Sequence, residues 1–248
     1  MEEARTNLAL RHHAMEVSPW VVLNATVTAN AIAAPDGTTS ADKVAETATT
    51  GVHGIYQSCV TVPGQAHTQS CYAKAAERNF LVMTEGNNVT STAVFNLSTG
   101  VVASVTGNGS PSATITALAD GWYRCSLTFT PIAATSNLQI RASNAASSAG
   151  YAGTAGSGIY AWGAQFELGS YATSGIHTSA IAVARGLPVF TETVPLGRTK
   201  ALLTFADAST LLVTGLTPGG TFDVTAAVVA ASKGRFSGSE LASRLWQA

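Results

Sequence analysis

The sequence predicts an all-β protein: a two-sheet antiparallel β-sandwich of the jelly-roll type, with a small C-terminal β appendage and a short terminal helix. Three observations point to this fold. Segments of alternating apolar and polar residues recur at short spacing, and Gly, Pro, Asn and Ser separate them. No stretch with helical periodicity longer than two turns interrupts them. Many short strands joined by such turns are typical of sandwiches and jelly rolls.

The clearest strand signal lies at residues 121–129. Successive side chains of a strand point to opposite faces, so its alternating residues form two sets. The apolar set, which we expect in the core, is Tyr123, Cys125, Leu127 and Phe129. The wetter face carries Trp122 beside Arg124, and such a pair suits a sugar, which stacks on an aromatic ring and bonds to a guanidinium group. Two interpretations stay open: a saccharide platform, or an indole that only covers the sheet.

Strand-like segments fill the chain up to residue 185. They are residues 20–30, 55–62, 67–74, 80–84, 92–96, 101–106, 113–117, 137–142 and 158–168. The Pro63-Gly64 turn is expected to join the second and third of these segments in a hairpin. Trp20, Tyr160 and Trp162 are interpreted as core residues, because large aromatic side chains of strands usually pack.

Composition changes after Arg185 and divides the chain into three parts. Residues 1–185 form the predicted carbohydrate-binding-like jelly roll, residues 186–232 a small β appendage, and residues 233–248 a helical anchor segment. Ser237 and Glu240 fit a capping box, and the apolar residues of the next turns share one helical face; these are Leu241, Leu245 and Trp246. This helix is expected to anchor on its own domain or on a neighbouring subunit.

Bulk composition excludes several classes of partner. Only 11% of the 248 residues are charged and the formal net charge is −1, so the basic patch of a nucleic-acid binder is missing. No apolar run approaches the roughly 20 residues that span a bilayer, and the acidic start, residues 1–5, lacks the apolar region of a signal peptide. We therefore expect neither membrane insertion nor export. Scarce charge also favours a homo-oligomer or a larger particle.

The cysteines and histidines predict no metal site. Cys59, Cys71 and Cys125 form no CxxC pair, and their odd number argues for reduced thiols in the core. A disulfide between Cys59 and Cys71 across the expected hairpin is the alternative. His12 and His13 have no third ligand at a suitable spacing.

Several ordered segments resemble a known module. They are residues 121–125 (Gly-Trp-Tyr-Arg-Cys), 34–43, 71–75, 95–100, 158–167 and 171–185, together with Asn7, Leu8 and Trp20 near the start. The pattern resembles the carbohydrate-binding-module-like (concanavalin-like) jelly roll of tailed-bacteriophage virion proteins, which occurs on tail fibres, tail tips and head spikes. The resemblance covers roughly residues 4–185. It implies a place in a virion assembled in the bacterial cytoplasm, with other virion proteins and host surface glycan as partners.

Alternation also predicts one polar face for a ligand. Along the last strand, Tyr160, Trp162, Ala164, Phe166 and Leu168 are expected to point inward, and Leu138, Ile140 and Ala142 do so on another strand. Gln69, Cys71 and Ala73 are expected inward on a third. If these strands share the sheet of the first, one face carries Trp122, Arg124, Tyr72, Lys74, Gln139, Arg141, Gln165 and Glu167. This face is either a saccharide platform or a solvated or subunit-facing surface.

No cofactor or catalytic site is predicted. Asp36, Asp42 and Glu46 are the oxygens available for a structural Ca²⁺, but they do not form a ligand-dense loop. The acidic residues form no recognisable pair of the glycosidase type, and no nucleophile, zinc-protease or phosphate-loop motif is present. The protein is therefore expected not to be an enzyme.

These observations predict a non-enzymatic, phage-type virion protein, a receptor-binding or decoration subunit that recognises host cell-surface polysaccharide. The alternative is a purely structural virion subunit, such as a spike base, tail adaptor or capsid decoration, whose jelly roll makes only protein–protein contacts. The module is expected to lie almost at the N-terminus, without a preceding fibre shaft. Attachment to a particle is expected to use the appendage, the terminal helix or the sides of the module.

Overall fold

The computed structural model describes residues 4–86, 91–186, 191–205, 210–224 and 241–247. The protein is built almost wholly of antiparallel strands, as the sequence predicts. It divides into two compact units, Arg5–Ala184 and Arg185–Ala248, the second of which includes Met1–Ala4. The described part of the chain contains no helix with the length and apolarity that a membrane crossing requires.

The larger unit is a sandwich of two six-stranded sheets. The front sheet has the order β11 (Ser112–Ala117), β12 (Trp122–Phe129), β7 (His67–Ala75), β15 (Gly158–Leu168), β4 (Ala41–Glu46) and β3 (Ala25–Ile32). The back sheet has the order β10 (Val101–Thr106), β9 (Thr92–Asn96), β8 (Phe80–Glu85), β13 (Thr135–Ser143), β6 (His53–Val60) and β2 (Val21–Leu23). Two small two-stranded sheets pair β1 (Arg5–Asn7) with β16 (Val183–Arg185), and β5 (Thr50–Gly51) with β14 (Tyr151–Ala152).

The core lies between the two large sheets. Cys125, Leu127 and Phe129 are buried in it and Tyr123 packs against it, which confirms the inward set predicted for residues 121–129. The rings of Phe129 and Phe166 meet edge to face with centroids 6.0 Å apart. Burying one side chain of this size away from water stabilises the folded state by about 1.5–3 kcal/mol. These contacts therefore favour the packing of the two sheets against each other.

The three cysteines are free thiols in this core. Burial raises the pKa of Cys59 and of Cys71 to about 12. The disulfide between Cys59 and Cys71 is not formed, because the hairpin that would bring them together does not exist. β6 and β7 lie in different sheets, and the segment at Pro63 carries the chain from the back sheet to the front. Strands in opposite sheets of a sandwich pack their inward apolar side chains against each other across the core.

The smaller unit is described by five strands. β17 (Thr191–Thr193) pairs with β20 (Thr221–Asp223), and β18 (Lys200–Phe205) lies between β19 (Thr210–Thr214) and β21 (Leu241–Gln247). Val194, Ala201, Leu203, Phe222 and Val224 form its apolar core.

The prediction of a terminal helix is wrong for the residues that the structure describes, because they form a strand. The three anchor residues, Leu241, Leu245 and Trp246, lie on β21, which runs antiparallel to β18. An isolated helix of about three turns is marginal in water, whereas the edge of β18 offers a full row of backbone partners. The separate helical segment 233–248 is therefore not supported, since its described part completes the sheet of the appendage. Ser237 and Glu240, the predicted capping box, lie outside the described residues.

Candidate functional site

The front sheet places three of the predicted platform strands side by side, in the order β12, β7, β15. Residues directly opposite each other in an antiparallel pair point to the same face. Trp122 is opposite Lys74, and Arg124 is opposite Tyr72. Their side chains therefore occupy the outer face of the front sheet, which we call the front face.

A β-bulge in β15 changes which of its side chains reach the front face. The pairing with β7 shifts between Trp162 and Gln165, and Gly163 adopts a φ of 63°. Before the bulge Ile159 and Ala161 point inward, and after it Ala164 and Phe166 do. The inward prediction is therefore correct for Ala164 and Phe166.

The prediction is wrong for Tyr160 and Trp162, which lie on the front face, and Leu168 is 39% exposed at the strand end. One extra residue in a strand inverts every assignment on one side of it. The error therefore has a single cause, the bulge, which sequence alternation alone did not reveal.

The front face carries an aromatic cluster partly covered by the chain. Trp122 and Trp162 are 3% and 6% exposed, and they pack with Ala34 and Ala41. The ring of Tyr72 lies 5.3 Å from that of Trp162. Alternation predicts Trp122 on the more polar side of its strand. It does point away from the sandwich core, but the segment before β4 covers most of it.

A groove of about 810 Å³ runs along the edge of this cluster. Residues 32–35 and Gly37 form one wall and the turn 118–120 the other, while Trp122, Tyr160 and Lys74 line it between them. Asp120, at a φ of 56°, adds a carboxylate to the second wall. Lys74 makes no ion pair with any residue that the structure describes. Sequence reasoning did not find Asp120, because a turn residue has no strand periodicity.

A second, smaller depression of about 200 Å³ lies on the same face. We call it the hydroxyl pocket, because Ser and Thr side chains dominate its lining; with Arg124 and Tyr171, its polar members are Ser112, Thr114, Thr116, Ser126, Thr128 and Ser170. The alternation of Ser and Thr with Ala and Ile along residues 112–117 is the sequence signal for this wall. Register puts Thr116 opposite Arg124 and Thr114 opposite Ser126.

Arg124 is held in place from two sides. Its guanidinium carbon lies 5.5 Å from the centroid of the Tyr72 ring, a cation–π contact, and one terminal nitrogen donates to the carbonyl oxygen of Thr173. Tyr72 therefore touches both Trp162 and Arg124. It links the aromatic cluster to the hydroxyl pocket.

Two predicted platform residues are buried under the chain. Gln165 and Glu167 are on the outer side of β15, but they are only 2% and 0% exposed. The carboxylate of Glu167 accepts from the Thr173 backbone nitrogen at 3.0 Å, and the side-chain oxygen of Gln165 accepts from the Ile176 nitrogen at 2.8 Å. These side chains hold residues 173–176, which follow β15 and which we call the exit segment, against the sheet, so a ligand does not reach them.

Two further predicted residues lie on the opposite side of the sandwich. Gln139 and Arg141 belong to β13, in the middle of the back sheet, and their side chains contact each other there. They point away from the core as predicted, but they cannot join the front face. Alternation predicts which face of a strand each side chain occupies, but it does not predict the sheet to which the strand belongs.

The carboxylates considered for Ca²⁺ do not converge. Asp36 accepts from the Thr38 nitrogen within its own turn. Asp42 accepts from two backbone nitrogens, those of Met15 at 2.8 Å and Asn30 at 2.9 Å, and burial raises its pKa to about 6. Glu46 forms a two-point ion pair with Arg78, at 2.5 and 2.9 Å. Each oxygen set already has protein partners.

Three imidazole rings gather beside the aromatic cluster. The centroid of the His12 ring is 4.2 Å from that of His13 and 4.4 Å from that of His177. Burial lowers the pKa of His12 to about 4. Within the described ranges, however, no set of three or more His, Cys, Asp or Glu residues is arranged to hold a metal ion.

No protein-family model matches the chain, and no curated protein sequence matches it. Function is therefore inferred from the geometry of the front face.

Proposed function

We propose that this protein is a non-enzymatic, phage-type virion subunit that attaches to host cell-surface polysaccharide through its front face. The observation that carries the proposal is the groove of about 810 Å³ beside the aromatic cluster. Its size falls within the roughly 300–1,000 Å³ that is usual for ligand sites. An open groove on a sheet also suits a chain molecule.

The groove offers the two kinds of contact that a sugar ring uses. Half-buried Tyr160 presents apolar aromatic surface and is backed by Trp122, which is only 3% exposed, while Lys74 and Asp120 supply a donor and an acceptor for hydroxyl groups. Both aromatic side chains are held by packing in or against the same cluster. A ligand therefore orders few side chains when it binds, which lowers the entropic cost of binding.

The acid content of the groove supports binding rather than hydrolysis. Among the described residues that line it, Asp120 alone carries a carboxyl group. Glycosidases place two carboxyl groups about 5–9.5 Å apart across the scissile bond. A shallow site of this kind binds weakly, and many copies on one particle would raise the overall affinity by avidity.

Variants of the groove test the proposal. We expect Lys74→Gln, Tyr160→Ala and Asp120→Asn each to weaken binding of host capsular polysaccharide about tenfold, which corresponds to about 1.4 kcal/mol. Asparagine tolerates the positive φ of residue 120, so the last change removes charge without straining the turn. Arg198→Gln is the matched control, because it removes an exposed cation from the smaller unit. Unchanged binding by all three groove variants, each shown to be folded, would refute the site.

A purely structural subunit is the second candidate, and exposed apolar residues at one end of the sandwich favour it. Val60, the last residue of β6, is 69% exposed, and Ile132, in the loop after β12, is 66% exposed. The loops that follow β6 and β12 are joined by the Gly64 nitrogen, which donates to the Pro131 oxygen at 2.8 Å. Exposed apolar residues grouped in this way often mark a protein contact. If Ile132→Asp prevents incorporation into particles and no host glycan binds the wild-type protein, this function replaces the first.

A further inference from the structure

The charge of Arg124 has no ion-pair partner among the residues that the structure describes. The guanidinium is half-buried, and no described carboxylate forms an ion pair with it. The carboxylate of Glu167 accepts from Gln165 and Thr173. A partly desolvated charge without a counter-charge is unfavourable for folding alone. A guanidinium in this state, however, favours the binding of an anion from solution.

The surroundings of Arg124 also suit an oxyanion. The residues that line the hydroxyl pocket include no Asp or Glu to repel an anion, and Ser and Thr hydroxyls can turn to donate. The Tyr72 ring and the Thr173 carbonyl fix the guanidinium plane. A fixed guanidinium presents its donors in the fork that matches two oxygens of one oxyanion.

The size and position of the hydroxyl pocket indicate how much of a ligand it holds. At about 200 Å³ it is smaller than a whole ligand site, so it fits one substituent or one small ring. Trp122, in the groove, and Arg124 are two residues apart on β12, or roughly 7 Å along a strand. One saccharide chain that lies in the groove can therefore reach the pocket with a side group.

We infer that the front face selects acidic polysaccharides: the sugar chain lies in the groove, and a carboxylate or phosphate substituent enters the hydroxyl pocket and pairs with Arg124. This inference rests on the proposed glycan-binding function and adds the class of glycan to it. It also assigns Arg124 and Thr116 to a pocket separate from the groove. Salt should weaken the preference for acidic chains, because it screens the ion pair.

The most direct test is a substitution that places a carboxylate of the protein in the hydroxyl pocket, where the anion of the ligand is expected to bind. Thr116 is exposed and directly opposite Arg124, with Cβ atoms expected about 4.5–5.5 Å apart, so the carboxylate of Thr116→Glu reaches the guanidinium. Thr116→Gln is the matched control, of the same shape without the charge. Both keep every contact of Arg124 with Tyr72 and Thr173. Thermal unfolding of both variants should match the wild type or exceed it.

The probes are capsular polysaccharides printed in pairs on an array. One set contains uronic acids, each beside its carboxyl-reduced form, and the other contains phosphate groups, each beside its dephosphorylated form. We expect the wild type and Thr116→Gln to bind the acidic member of a pair at least tenfold better, and Thr116→Glu to lose this preference. The set that shows the preference identifies the oxyanion.

Each result has one meaning. Equal binding of acidic and neutral members, or an unchanged preference in Thr116→Glu, would overturn the acidic pocket and leave glycan binding by the groove intact. Binding to no glycan in either set, by folded wild-type protein, would remove the proposed function and this inference together. A preference that Arg124→Gln also abolishes, with neutral glycans still bound, would assign the anion to Arg124.

Discussion

Replacing Gly163 with alanine tests the feature that shapes the front face, the bulge of β15. At a φ of 63° an L-residue costs about 1–2 kcal/mol relative to glycine. An added Cβ would also lie 2.8 Å from Cδ2 of Tyr72, whereas carbon atoms pack best at about 3.5–4.0 Å. Tyr72 cannot move away freely, because Trp162 and Arg124 both contact its ring.

Overpacking of this kind costs a further 1–3 kcal/mol or so, and we therefore expect Gly163→Ala to lower the free energy of unfolding by about 2–5 kcal/mol. Gly156→Ala is the control. Its φ is 84°, but nothing lies within 4 Å of the new Cβ, so it should cost only about 1–2 kcal/mol of backbone strain. Urea unfolding, followed by tryptophan fluorescence, measures both values. Equal losses in the two variants would show that the contact between Gly163 and Tyr72 does not constrain the bulge.

Three further predictions concern buried polar groups. Glu46→Gln should cost about 3 kcal/mol in urea unfolding, because it leaves Arg78 without its counter-charge, and a loss below about 1 kcal/mol would contradict a structural role for the pair. Burial lowers the pKa of His12 to about 4 from an ordinary 6.5, so its neutral ring stabilises the fold fully above pH 6.5. That contribution, up to about 2 kcal/mol after solvent screening, is lost as the pH falls from 6.5 to 4. The difference in Tm between wild type and His12→Asn should shrink across this window, and a constant difference would refute the assignment. Iodoacetamide at pH 8 should label none of the three cysteines in the native protein and all of them in urea, since burial suppresses the thiolate of Cys71 and of its neighbours; native labelling would contradict their place in the core.

The correct parts of the sequence prediction all come from local patterns. Alternation placed Cys125, Leu127 and Phe129 in the core, because side-chain direction within an uninterrupted strand depends only on the backbone of that strand. It also identified Trp122, Arg124, Tyr72 and Lys74 as residues that share a face away from the core.

The incorrect parts have non-local causes. Strand partners are chosen by the whole chain, so Gln139 and Arg141 fall on the back sheet and β7 does not form a hairpin with β6. The terminal segment pairs with the edge of β18 and forms β21, although its apolar residues also fit one face of a helix. Gln165 and Glu167 point outward as predicted, but the exit segment folds over them.

By itself, the order of residues determined an antiparallel β-sandwich and the inner and outer side chains of the regular strands β7, β12 and β13, because period-two burial is encoded within a few neighbouring positions. Only the tertiary structure decided where the bulge at Gly163 inverts that period, which strands meet on the front face, and which outward side chains remain accessible in the groove and the hydroxyl pocket. These outcomes depend on contacts between residues far apart in the chain, and no local pattern of apolar and polar residues specifies such contacts.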